Sequence, residues 1–266
     1  MAHDDLAIKK EERHWQDLRG GSLQHASYGR PGTRVVLDWQ FSRIAEALQL
    51  QPDMRVLDLG CGVGHLLSWL PLPGRYHGLD LSVVSLRSAR DAEPSLRLTL
   101  GDAEQLPYRA NSFDRIVCNG SAHHFVDKHS AFSEMYRVLA PGGRLVLFEP
   151  TATAVTTALR KLLPSADRYE SPVDLAHKDE FTSHSARALL AEAGFTDVTT
   201  SLQDFLAYPL SGNYVGSPLS RSRAVMGLLC RVERSLARLA PFKPLLNLLA
   251  WRLLVVSRKP RAGAPA

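Results

Sequence analysis

The run Val56-Leu57-Asp58-Leu59-Gly60-Cys61-Gly62-Val63-Gly64 decides the fold. A short apolar strand, 55–59, ends in three alternating glycines, and His65-Leu66-Leu67-Ser68-Trp69-Leu70 can then open a helix. Strand, glycine turn and helix in that order set bare backbone at the carboxyl end of a strand, where open α/β sheets hold their ligands. The spacing narrows the ligand. A dinucleotide fingerprint needs glycine at 65, which is His65, and no Lys-Ser/Thr pair closes the loop as a phosphate cradle requires. Glycines at 60, 62 and 64 after an acid let the backbone approach a ligand that carries no pyrophosphate.

Outward from this run, strand-like and helix-like segments alternate. Short apolar runs at 75–80, 96–100, 115–118 and 144–148 read as strands, with helices over 82–90 and 131–139 between them. Upstream, Val36, Trp39, Ile44 and Leu48 sit near helical spacing. Downstream, helices are expected over 152–163, 182–193 and 224–240, strands over 198–206 and 253–257, and a loop over 206–220. This rhythm predicts an α/β doubly wound sheet of seven strands, the last antiparallel, with helical insertions. The expected organisation is an N-terminal helical cap over 1–52 and a core over 53–266. Insertions at 150–180 and 206–250 are then left to choose the substrate.

Two more acids fall at strand ends. Asp80 closes Gly78-Leu79-Asp80, 22 residues beyond Asp58, and Asp102 follows Gly101 at the same interval again. A carboxylate at the second strand end can accept both hydroxyls of a ribose, and one at the third suits an adenine amino group. Each acid alone reads as a solvated loop residue. Three at successive strand ends are harder to dismiss.

On these residues the chain resembles the class I S-adenosylmethionine-dependent methyltransferases, in the small-molecule branch that includes quinone-biosynthesis and natural-product enzymes. VLDLGCGVG (56–64), GLDLS (78–82), GDAEQLPY with NSFDRIV (101–108 and 111–117) and EMYRVLAPGGRLVLFEP (134–150) carry the resemblance. It covers residues 54–150 closely, 180–206 and 251–260 loosely. It implies S-adenosylmethionine as cofactor, with Gly60, Gly62 and Gly64 facing its methionine end. Asp58 would lie near the ammonium group or order the loop. Asp80 with Leu81 would hold the ribose, Asp102 and Ala103 the adenine. Asn119 would lie by the methionine moiety, and Tyr28 would cover the cofactor.

The methyl of such a cofactor is already activated, so the protein contributes positioning and desolvation. A hydroxyl nucleophile needs a base in addition. His123, His124, Asp127 and Glu149 follow the fourth and fifth strands. An imidazole there can act as general base near neutral pH, and Glu149 can orient it. The plainer reading has the His pair shape the pocket and Glu149 cap a helix. The expected reaction is O-methylation of a lipophilic or aromatic small molecule. C-methylation of a quinone- or polyketide-type ring and N-methylation are the rivals. Behind them stand a nucleic-acid methyltransferase and a non-catalytic cofactor-binding partner.

With 266 residues, 45% hydrophobic and 22% charged, the composition is that of a globular protein. Three scattered cysteines make neither a disulfide framework nor a metal cluster. Met1 to Trp15 lacks an apolar core, so no signal peptide is read and the cytoplasm is expected. Net charge is +5, but ten Lys/Arg and one acid, Glu233, lie in 219–266, leaving the rest mildly acidic. In the helix over 224–240, Val225, Leu229, Val232, Leu236 and Leu239 share one face, and Arg231, Arg234 and Arg238 another. A lid over the pocket, peripheral contact with an anionic membrane, and a solvated basic face all fit that pattern. Nucleic acid is not expected as a partner, because 119–121 reads Asn-Gly-Ser rather than a base-flipping motif and few aromatics interleave with the basic tail. Oligomeric state stays open.

Overall fold

The computed structural model of the protein describes residues 2–20, 29–70, 75–151, 153–162, 173, 181–211, 217–261 and 263. In chain order these form α1 (Ala2–Gly20), α2 (Pro31–Leu48), β1 (Val56–Leu59), α3 (His65–Trp69), β2 (Tyr76–Asp80), α4 (Val83–Ala92) and β3 (Arg97–Leu100). Then follow β4 (Phe113–Asn119), α5 (Lys128–Val138), β5 (Leu139–Pro150), α6 (Ala154–Leu162), α7 (Ser183–Glu192), β6 (Thr196–Gln203), α8 (Arg223–Arg238), α9 (Lys243–Leu248) and β7 (Arg252–Arg258).

The strands make one sheet in the order β3-β2-β1-β4-β5-β7-β6. β1 pairs in parallel with β2 and β4, so that Leu57 stands between His77 and Ile116. β7 runs antiparallel to both β5 and β6. The expected seven-stranded sheet with an antiparallel last strand is therefore present. Strand order reverses between β1 and β4, which opens a crevice at their carboxyl ends.

Side chains alternate across the sheet with a period of two. Leu57, Leu59, Ile116, Cys118, Leu145 and Leu147 pack on one face against Phe132 and Met135 of α5 and Leu190 of α7. Val56, Tyr76, Val117, Val146 and Phe148 pack on the other against α2, α3 and α4. Burying a large aliphatic side chain in either layer contributes about 1.5–3 kcal/mol. Leu37, Phe41, Ile44 and Leu48 of α2 belong to that second layer. The division at residue 52 thus separates segments of chain, not separately packed cores.

Local chemistry sets the helix ends. Pro31 occupies the first position of α2, where its missing N–H costs nothing. Ser82 caps α4, and Thr182 and Ser185 cap α7 reciprocally. Asp127 caps α5 by accepting from the Ser130 amide at 3.0 Å. Its carboxyl is held below the usual range by the Ser130 hydroxyl and amide. Of the four residues weighed as base or orienting group, Asp127 is thus spent on a helix end, worth about 1 kcal/mol.

The last third adds one element and revises another. The strand expected over 253–257 is present as β7, and α9 before it is a helix that no expectation covered, because a short apolar run does not by its periodicity choose between helix and strand. The loop expected over 206–220 contains 3₁₀ turns at Pro209–Ser211 and Pro218–Arg221. α8 lies where a helix was expected, but it seats on an edge of its apolar face. Met226, Cys230 and Glu233 are buried, while Val225, Val232 and Leu239 stay exposed. Glu233 receives the Leu206 and Ala207 amides at 2.8 and 3.0 Å, and the Asp204 carboxylate accepts from Gln40 of α2. These buried polar contacts fasten α8 and the end of β6 to the core.

Candidate cofactor and acceptor site

The crevice is built from the carboxyl ends of β1, β2, β3, β4 and β5. Gly60, Gly62 and Gly64 adopt φ of +73°, +53° and +77°, the left-handed region that side chains disfavour. Gly60 is constrained twice. A Cβ there would overlap Ser121 Cβ and stand 2.7 Å from its Oγ. That Oγ donates to the Leu59 carbonyl at 2.7 Å, so β1 and the turn after β4 are locked together across the glycine.

Asp80 braces the loop. Its Oδ2 accepts the Gly62 amide at 2.7 Å and its Oδ1 the Ser82 amide at 2.8 Å, and the Leu81 amide also favours its charge. Burial nevertheless raises its carboxyl above the usual range. Asp58, 2% exposed beneath the loop, is pushed up to about 8, first by burial and second by the charge of Asp80. Two neighbouring carboxyls under bare backbone, Asp58 buried and Asp80 half-buried, favour a cationic ligand, which fits one bearing an ammonium and a sulfonium.

That arrangement gives a pH dependence with a definite sign. A cation beside Asp58 favours its ionised form, so the bound carboxyl titrates lower than the free one at about 8. Binding then releases a proton at any pH between the two values. S-adenosylmethionine affinity is expected to rise with pH up to about 8 and level off above. Calorimetry in buffers of different ionisation heat measures the proton, and Asp58→Asn should flatten the curve.

Asp102 follows β3. Its Oδ1 accepts the Glu104 amide at 2.9 Å and its Oδ2 the Lys9 ammonium at 2.9 Å. Ala103 beside it is buried in the core. Lys9 also pairs with Glu104. Burial opposes the Lys9 charge, but the hydrogen bonds it donates to Glu104 and Asp102 outweigh it and push the amine up. α1 thus lies over the crevice. Its Asp17 accepts from the Ser82 hydroxyl at 2.5 Å, and its buried Glu12 reaches His124.

The turn after β4 carries the titratable groups. Glu149, fully buried at the end of β5, accepts the Ser121 and Ala122 amides through Oε1 at 3.2 and 3.1 Å. Its Oε2 lies 2.8 Å from His123 Nδ1. His124 Nδ1 lies 3.3 Å from Glu12 Oε1, with Trp15 against its ring. The two imidazoles are 3.9 Å apart, centroid to centroid. Each has a carboxylate at Nδ1, which fixes how its ring is turned. Glu149 thus orients a histidine and ties down the turn, roles the sequence held as alternatives.

Asn119 ends β4 and accepts from Arg252 at 2.8 Å; Arg252 also donates to the Phe148 carbonyl at 2.7 Å. Phe41 packs in the core against Trp69, and Trp39 lies under the Arg234 guanidinium at 4.1 Å. Tyr28 falls outside the described residues. Sequence reasoning missed Lys9, Glu12 and Asp17, which have no local pattern among the many charges of α1. It also missed Arg252, whose only signal is a cation breaking an apolar run.

Residues 57–147 match the family model described as Methyltransferase domain. The demethylmenaquinone methyltransferase of Streptomyces avermitilis is 35% identical over 135 residues, covering 47% of this chain and 58% of that protein. Methyltransferase GfsG of Streptomyces halstedii is 34% identical over 158 residues, covering 52% and 57%. The chain therefore spans little more than half the length of these relatives. Among solved structures, the [4+2]-cyclase SpnF superposes with a TM-score of 0.56 at 21% identity, covering 84% of this chain and 82% of that one. At that identity the likeness speaks for the fold.

Proposed function

We propose that this chain, a class I S-adenosylmethionine-dependent methyltransferase by its central domain, methylates a lipophilic or aromatic small molecule at oxygen. The observation that carries the reading is the juxtaposition of two sites. Asp58 and Asp80 under the glycine loop form a carboxyl-lined hollow whose charged form a cation would favour, and the His123–Glu149 and His124–Glu12 pairs stand on the turn locked to that loop through Ser121.

When bound, S-adenosylmethionine supplies a methyl group on a sulfonium. In this reading Asp80 and the Leu81 backbone would hold the ribose, Asp102 and the Ala103 backbone the adenine, and Asn119 and Asp58 the methionine end. Tyr28 is retained as a covering residue. His124 Nε2 accepts the proton of the acceptor hydroxyl, with Glu12 on Nδ1, and His123 with Glu149 stands behind it. α1 closes over the crevice and excludes water. Asp80→Ala is expected to weaken S-adenosylmethionine binding at least tenfold, about 1.4 kcal/mol, since it removes a charged acceptor and leaves the Gly62 amide unpaired. Titration calorimetry reads it directly; unchanged affinity rejects the ribose assignment.

C-methylation of a quinone-type ring is the second reading, favoured by the relatives named demethylmenaquinone methyltransferase. N-methylation needs no base and would leave the histidines as pocket walls. The acceptor is proposed to be met in the cytoplasm; no helix among the described residues is long and apolar enough to cross a membrane. Incubating the purified chain with methyl-labelled cofactor and cell extract tests all of this. Label in an organic-soluble product is expected, and magnetic resonance of that product separates O–CH₃ from C–CH₃ and N–CH₃. Label confined to macromolecules overturns the small-molecule reading.

A further inference from the structure

We infer that the outer face of α8 and α9 is a docking surface for an anionic lipid bilayer. Eight of the eleven large apolar side chains exposed among the described residues lie between 219 and 248, so the exposure is concentrated rather than scattered. On α8 these include Val225, Leu228 and Val232, at 38%, 55% and 41% exposure. On and before α9 they include Phe242, Leu245 and Leu248, at 44%, 59% and 50%. They are not waiting to fold inward. The inner edge of α8 is filled by Met226, Cys230 and Glu233, and Met226 sits where a Cβ on Gly32 of α2 would be only 2.7 Å away.

Charge selects the occupant. Arg221, Arg223, Arg231, Arg234, Arg238 and Lys243 are all exposed on the same segment. Its one acid, Glu233, is turned inward onto the Leu206 and Ala207 amides. The segment's exposed charge is therefore wholly positive and lies beside an aliphatic centre, with Arg234 set apart because it packs over Trp39. That is the chemistry of an interfacial helix: apolar side chains enter the acyl boundary while guanidinium groups meet phosphate headgroups. A second copy of the chain fits worse, because a two-fold contact would set this cationic face against itself. Nucleic acid fits worse too, since Phe242 is the only aromatic in the exposed set between 219 and 248. For a lipophilic acceptor the surface would shorten the route from bilayer to crevice. That consequence rests on the proposed function, whereas the docking does not.

The test is co-sedimentation of the intact chain with vesicles of phosphatidylglycerol and phosphatidylcholine in equal parts, beside vesicles of phosphatidylcholine alone. Binding to the mixed vesicles, reduced by salt, is expected. Leu228→Ser with Leu245→Ser, and separately Arg231→Ala with Arg238→Ala, should each lower partition by about tenfold or more. The thermal melting curve should not move, because these side chains are exposed. Equal binding to both vesicle types, or no loss in either variant, overturns the inference. So does a stable dimer in solution that the leucine variant dissolves. No result with vesicles depends on cofactor binding, so failure here and failure of the proposed function are read separately.

Discussion

Gly60→Ala is expected to reduce S-adenosylmethionine binding by about a hundredfold or more and to lower thermal stability as well. A side chain at φ +73° costs about 1–2 kcal/mol in any setting. Here the new methyl also overlaps Ser121, and such overpacking adds about 1–3 kcal/mol. Ser121 cannot simply give way. Its hydroxyl is bonded to Leu59 and its amide to Glu149, so a shift pulls on the loop and on the histidine turn together. Gly227→Ala is the control. It sits in mid-helix in α8 with only Val35 at 3.9 Å, and should be neutral or slightly stabilising. Calorimetry and thermal melts on the two variants give the comparison. Wild-type affinity in Gly60→Ala would mean that the loop does not face the cofactor.

The second large effect concerns turnover. His124→Gln keeps a polar side chain on the turn but removes the basic nitrogen. A general base contributes about 10²–10⁴-fold, so kcat should fall by that order while S-adenosylmethionine affinity stays within about threefold. Steady-state rates across pH, once an acceptor is found, distinguish the roles. A pocket wall would raise KM for the acceptor and spare kcat. Wild-type rates in the variant would remove His124 from the chemistry and favour a nucleophile that needs no base.

The sheet was legible because its signals are local. Apolar runs of four to six residues, glycines after β1 and acids at strand ends each report on their own neighbourhood, and β1, β2 and β3 lie where those runs predicted. Glu149 was legible as a candidate, but its dual role was not. That role depends on β5 ending beside the turn after β4, a register in which Asn119 faces Phe148. Lys9 lies 93 residues from Asp102 and Glu12 lies 161 residues from Val173, and no spacing rule connects such groups. α8 shows a third kind of limit. Its amphipathic pattern was plain, but a wide apolar stripe does not say which of its edges will be buried. The contacts of Met226 and Glu233 decided that.

The central claim is that the hollow under the glycine loop binds S-adenosylmethionine. Titration calorimetry of the intact chain with S-adenosylmethionine and S-adenosylhomocysteine tests it most directly. Saturable binding of both is predicted, with proton release below about pH 8 that Asp58→Asn removes. Absence of binding by either ligand would contradict the account.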